Sequence, residues 1–203
     1  VSAGLFTMSL YNVSRVELGL DVNQLVTFSV SPNLNGYTPE QTQALVVRLE
    51  DELRTVPGAT HVTASRVPLL AGSNWGSSVR VEGFEAGPDT DTGSRFNEVG
   101  PGYFRTMGMA LLAGREFTAA DAGDAPKVAI VNRRFAEKFG LGQDAVGKWM
   151  SSDGRDAELD TLIVGLSQDA KYSQVRGEIP PLFFRPYRQN ENIRSMFFYV
   201  RAA

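Results

Sequence analysis

From Gln24 to Val30 apolar and polar residues alternate, Val26, Phe28 and Val30 against Thr27 and Ser29, which predicts a half-buried strand closed by Pro32. The period then changes. Thr38-Pro39-Glu40-Gln41 supplies a capping hydroxyl, a proline for the first helical position and a capping-box glutamine, and Leu45, Leu49, Leu53 and Val56 recur on one face until Pro57-Gly58 stops the helix. A second strand comes next over His61 to Arg66, with Val62 and Ala64 on one side. Residues 24–67 thus read as a βαβ unit with a right-handed crossover.

Beyond Leu69 the pattern predicts a loop to Ser78, Ala71-Gly72-Ser73-Asn74-Trp75-Gly76, in which Trp75 is costly to leave exposed and is the one candidate for a partner contact, against packing between lobes. Short strands are expected at Val79 to Glu82 and Arg95 to Val99, around a polar surface connection from Ala86 to Gly93. Gly100-Pro101-Gly102 opens a brief helix with Tyr103, Phe104 and Met107 that ends at Gly108. A turn is expected at Ala113-Gly114-Arg115 and one capped turn over Thr118 to Asp121. Val128 to Val131 is an apolar run suited to a buried strand, and Asn132 is placed to cap a helix whose inner face is Phe135, Ala136 and Phe139. After a polar stretch from Ser151 to Asp160, strands are expected at Leu162 to Leu166, Leu182 to Arg185 and Met196 to Val200.

The 203 residues suffice for one well-filled domain or two small lobes, and 42% hydrophobic with 21% charged residues is the balance of a folding chain. A net charge of -3 with scattered Lys and Arg gives no basic surface for a phosphate backbone, so nucleic acid is not an expected partner. The absence of cysteine removes disulfides and thiol chemistry. No apolar run reaches the length of a membrane span. Val1 to Val16, however, carries Ala3, Leu5, Phe6, Met8, Leu10, Val13 and Val16 with one charge, Arg15, which reads as a short core helix or as the last turns of a membrane helix leaving the bilayer. A signal peptide fits poorly because a basic leader is missing.

Candidate chemistry is sparse. His61 is the only histidine, and no Gly-x-Ser-x-Gly elbow accompanies it, so neither a serine triad nor a two-histidine metal site is expected. Gly140-Leu141-Gly142 comes after a helix and lacks the lysine of a phosphate loop, which makes it a helix end. Acid pairs Asp121 with Asp124, Asp89 with Asp91, and Asp153 with Asp156 all fall in polar loops, where solubility and turn formation account for them. The spacing of a calcium loop is missing. Arg115 beside Glu116 reads as a fold-stabilising arginine at a glycine turn.

Pro101-Gly102-Tyr103-Phe104-Arg105-Thr106-Met107-Gly108, then Leu111-Leu112-Ala113-Gly114-Arg115-Glu116-Phe117-Thr118 and Asp121, resemble the signature of the MacB-like periplasmic core domain of FtsX-like ABC-transporter permeases. Lys127 to Asn132 with Phe135-Ala136, Asp144 to Lys148, Ile163 to Leu166 with Asp169 to Lys171, and Arg185 to Gln189 continue it in order over nearly the whole chain. The sequence departs from the pattern at Leu166-Ser167-Gln168 and at Gly100. The resemblance implies an α+β fold: a mixed-sheet, porter-like subdomain with βαβ units over 22–70 and 160–203, and an inserted, Sabre-like α/β lobe over 71–159. It also implies that residues 1–21 are the end of a membrane-proximal helix and its linker, and that a closing helix of a second porter unit lies beyond Ala203.

For function the resemblance implies an extracytoplasmic permease domain that transmits ATP-driven motion and does no bond chemistry, with no cofactor. The implied partners are the membrane helices of the same chain, a second permease copy, a cytoplasmic ATPase and a periplasmic adaptor, at the periplasmic side of the bacterial inner membrane. Two alternatives stand beside it: a free-standing periplasmic small-molecule binding protein, and a hydrolase working with loop carboxylates.

Overall fold

The computed structural model describes residues 18–203 apart from 71, 73–74, 155 and 172–176. The apolar Val1 to Val16 lies outside the described residues. In chain order the first elements are β1 (Leu25–Val30), α1 (Pro39–Arg54), β2 (Ala59–Ser65), β3 (Trp75–Ser78), β4 (Arg80–Val81) and β5 (Gly93–Val99). Then come α2 (Tyr103–Met107), β6 (Leu111–Gly114), β7 (Val128–Asn132), α3 (Arg133–Lys138), β8 (Trp149–Ser151), β9 (Thr161–Ser167), β10 (Leu182–Pro186) and β11 (Met196–Ala202).

The capping box forms as expected: the Gln41 amide donates to Thr38 Oγ1 at 3.3 Å and the Thr38 amide donates to Gln41 Oε1 at 2.9 Å. The buried stripe of α1, though, is centred on Thr42, Val46 and Glu50, and Val56 is 49% exposed. The expected Leu45–Leu49–Leu53–Val56 row is rotated off centre, because residues Tyr187 and Arg188 meet the helix with polar atoms that a carboxylate must answer. β1 and β2 each run antiparallel to β11, which lies between them, so the βαβ unit exists in split form. β1 is more exposed than the alternation predicts, with Val26 59% exposed, because it sits at the sheet edge.

The fold is α+β on one mixed sheet of order β1-β11-β2-β5-β10-β7-β9-β8-β4, with β3 beside β5 and β6 beside β9. β7 pairs parallel with β9, and β10 parallel with β5, whereas β10 and β7 are antiparallel. Corrections are local. The expected strand from Val79 to Glu82 is shortened to β4, Arg80–Val81, and a further strand, β3, precedes it, with the Val79 amide donating to Thr92 O between them. Trp75 begins a strand instead of lying in a loop. The turn expected at Ala113 starts only after β6, and β8 takes Ser151 from the polar stretch.

The sheet is narrowest between β2 and β5, joined by the single pair Ser65–Val99 and by bonds from the Gly100 amide to Ala64 O and from the Arg66 amide to Glu98 O. On one side of this seam α1 covers Ala64, Met196 and Phe198. On the other, aromatic clusters around Tyr103–Phe104–Phe184 and Phe135–Phe139–Phe183 fill both faces. Among the described residues β9 and β10 pair only with strands drawn from 71–159.

Candidate functional site

Arg201, near the end of β11, ties three segments together. Its Nε and Nη2 donate to Thr106 O at 2.9 and 2.7 Å, and Nη1 donates to Asn23 O at 2.8 Å and to Asp21 Oδ2 at 3.1 Å. The Thr106 carbonyl belongs to the last turn of α2, where helix carbonyls have no partner of their own and favour a cation. The segment before β1 is bound in its turn. The Asp21 amide donates to Met107 O at 2.8 Å, Gln168 Nε2 to Gly19 O at 3.0 Å, and the Lys171 amide to Leu18 O at 2.7 Å. Gly108 makes this approach feasible, since a Cβ there would lie 2.7 Å from that of Asp21. The Asn23 amide, with Arg201 adding to it against the cost of desolvation, holds the Asp21 carboxyl below its usual range. Leu25 faces Arg201 across the β1–β11 pair, and the Ala202 and Ala203 amides donate to Gln24 O and Gly58 O, both at 2.9 Å. Residues 18–24 and 201–203 therefore meet at one end of the molecule, against α2.

α2 is held from its other end by Glu116, whose Oε1 accepts from the Phe104 amide at 2.7 Å. Next to it the expected fold-stabilising role of Arg115 is realised: its two terminal nitrogens donate to Asp121 Oδ1 and Oδ2, each at 2.8 Å. Burial alone would raise the Asp121 pKa, but the Arg115 guanidinium and the Thr118 amide outweigh it and hold the carboxyl low.

Two buried carboxylates bridge the seam region. Glu98, 2% exposed, accepts from Arg66 Nη1 at 2.7 Å, Arg185 Nη2 at 2.8 Å and Asn190 Nδ2 at 2.7 Å. Glu50, fully buried on α1, accepts from Arg188 Nη2 at 2.7 Å and from the Tyr187 hydroxyl at 2.9 Å. Burial pushes the Glu50 carboxyl up in spite of Arg188. The other oxygen of Glu50 lies against Gly100, where a Cβ would stand 2.5 Å away.

Trp75 turns inward onto this network. The Arg66 guanidinium stacks 4.6 Å over its ring and Phe96 tilts against it at 5.6 Å, leaving it half-buried. A polar cleft of about 510 Å³ opens beside Glu98, lined by Lys127, Asp160, Arg185, Gln189 and Asn190. His61 is half-buried at the start of β2 with Thr60 Oγ1 3.3 Å from its Nδ1. Of the acid pairs, Asp121 is taken by Arg115 and Asp91 by Lys138 at 2.8 Å, and Asp89, Asp124, Asp153 and Asp156 are solvent-exposed. Among the described residues no three His, Cys, Asp or Glu side chains converge to hold a metal. Glu50, Glu98 and Arg201 escape a reading of the sequence. Only Glu50 carries a signal there, its four-residue spacing from Val46 on the buried face.

Residues 4–203 match the family described as the MacB-like periplasmic core domain. The chain belongs to that family. Among solved structures, this MacB-like domain is similar to the periplasmic region of MacB from Actinobacillus actinomycetemcomitans, at 14% identity and TM-score 0.57 over 95% of this chain and 80% of that one. It is likewise similar to the extracellular domain of the noncanonic ABC-type transporter YknZ from Gram-positive bacteria, at 17% identity and TM-score 0.53 over 88% and 83%. No curated protein matches it. At these identities the likeness is one of fold. Among the described residues no helix is long and apolar enough to cross a membrane.

Proposed function

We propose that this MacB-like domain is the extracytoplasmic part of an ABC-transporter permease and passes ATP-driven movement of membrane helices into the space beyond the bilayer, without chemistry of its own. One observation carries the reading: the segment leading into β1 and the end of β11 meet in the Arg201 clasp and bear together on α2. A pull on either is delivered to the Tyr103–Phe104 core through hydrogen bonds to a charged group, among the stronger kinds a protein makes. The partners on this reading are the membrane helices of the same chain, a second permease copy, an ATPase and a periplasmic adaptor. An adaptor would meet the outer edge of Trp75, whose inner face is already occupied.

The porter-like part (22–70 with 160–203) and the inserted lobe (71–159) belong to the same proposal. Because β9 and β10, which fall within 160–203, pair with strands drawn from 71–159, movement would run along the Ser65–Val99 seam, which Glu50 and Glu98 span. The test is Arg201→Ala and Arg201→Lys in the full-length permease. Both should leave folding and membrane insertion intact while export falls and ATP hydrolysis continues uncoupled, with Lys milder than Ala. Export unchanged in the Ala variant would overturn the reading.

A further inference from the structure

The polar cleft of about 510 Å³ beside Glu98 lies between two stretches of the chain: Glu98, Lys127 and Asp153 line it from 71–159, and Arg185, Asn190 and Glu191 from 160–203. Its volume falls within the roughly 300 to 1,000 Å³ of sites that hold small molecules. Charge is not balanced locally in it. At the floor two guanidinium groups share one carboxylate, since Arg66 Nη1 and Arg185 Nη2 both donate to Glu98, which is 2% exposed. One positive charge is therefore in excess where the Arg66 and Arg185 side chains are only 16% and 32% exposed, and charge withdrawn from water without a partner is costly. Arg185 is fixed in place, with Nη1 donating to Ser152 Oγ at 3.1 Å and the guanidinium stacked 4.9 Å over Phe96. Its Nε–H has no acceptor among the described residues. At the mouth the sign reverses. Asp153 and Glu191 are exposed and have no ion-pair partner among the described residues, whereas Lys127 is taken by Asp160. The Lys127 ammonium, held up chiefly by Asp160, also feels Asp153 and Arg185, so floor and mouth act on one space.

We propose that this cleft binds a small zwitterion of dipeptide size, its carboxylate on Arg185 and its ammonium between Asp153 and Glu191. An anion alone would offset the excess charge at the floor but be repelled by the two carboxylates at the mouth. A cation alone would answer the mouth and meet the surplus positive charge below it. A ligand that carries both signs satisfies both ends, through charge-assisted hydrogen bonds to a guanidinium and to carboxylates. Once bound it would bridge the Asn190–Glu191 turn and the Ser152–Asp153 turn, which face each other across the cleft. The proposal stands on the charges of the cleft and is independent of the proposed function.

Calorimetric titration of the full chain with alanylalanine, with its N-acetyl form and with its C-terminal amide tests this. The free dipeptide should bind, and each blocked form, which lacks one of the two charges, should bind more weakly by roughly tenfold or more, the worth of one charge-assisted hydrogen bond. Asp153→Asn combined with Glu191→Gln removes the negative mouth at two exposed positions and leaves the floor intact. In that variant the N-acetyl form should bind at least as well as the free dipeptide. No binding at millimolar dipeptide, equal binding of the three compounds, or an unchanged order of affinities in the double variant would overturn the proposal. So would tighter binding of either blocked form by the wild type, which would mark the cleft as a simple anion or cation site.

Discussion

Two carboxylates with opposite pKa displacements make the residue scale testable. Glu50 is pushed up by burial, so its folded-state pKa lies above the unfolded one. The stability it contributes is full below the ordinary carboxylate pKa and is lost as pH rises through the folded value. Asp121 is held low by Arg115 and Thr118 against its own desolvation, so its contribution is present above the unfolded pKa and is lost as pH falls through the folded one. Urea unfolding between pH 3 and pH 8 should therefore separate two variants. The stability of the wild type relative to Glu50→Gln should fall with rising pH, whereas its advantage over Asp121→Asn should grow. Parallel behaviour of the two would refute the assignment. The Glu50 displacement is not legible in the sequence, because it comes from burial that only the packing of α1 decides; that of Asp121 has its partner Arg115 six residues away, but the bidentate contact that overcomes desolvation is set by the folded turn.

At the scale of elements, Asn132 joins three. Its Oδ1 accepts from the Phe135 amide of α3 and from the Leu182 amide of β10, both at 2.9 Å, and its Nδ2 donates to Pro180 O at 3.0 Å. The sequence predicts the helix cap and not the strand anchor. Asn132→Ala should cost about 2 to 4 kcal/mol, more than a cap alone, because the buried Leu182 amide of β10 and the Pro180 carbonyl lose their partner too. Asn132→Asp, which keeps both acceptor bonds and loses the donor, should cost less; thermal unfolding of the two variants checks the order. Helices and buried strands were legible wherever the signal is local, as in the Thr38–Gln41 box and the apolar run at Val128. β6 and β8 were not, since four and three residues respectively become strand by pairing with β9 and, for β8, also with β4.

For the whole molecule the seam between β2 and β5 is the feature to probe. If Glu50 fastens α1 across it, Arg188→Met should speed amide exchange in α1 and β2 and leave β7 and β9 unchanged, while uniform loosening would point to a single cooperative unit without a seam. The strands and helix of the βαβ unit, the aromatic runs and the family motifs were all readable from residues close together in the chain, whereas the insertion of β11 between β1 and β2 was not. That Trp75 packs inward under Arg66, that β1 lies at an edge, and that Arg201 meets Asp21 and Thr106 were not. By itself the sequence determined the caps, the strand-forming runs and the class of fold, because those depend on the conformational preferences of neighbouring residues. Only the tertiary structure decided which buried charges find partners and which strand is left bare, because those depend on residues about a hundred positions or more apart meeting across one sheet.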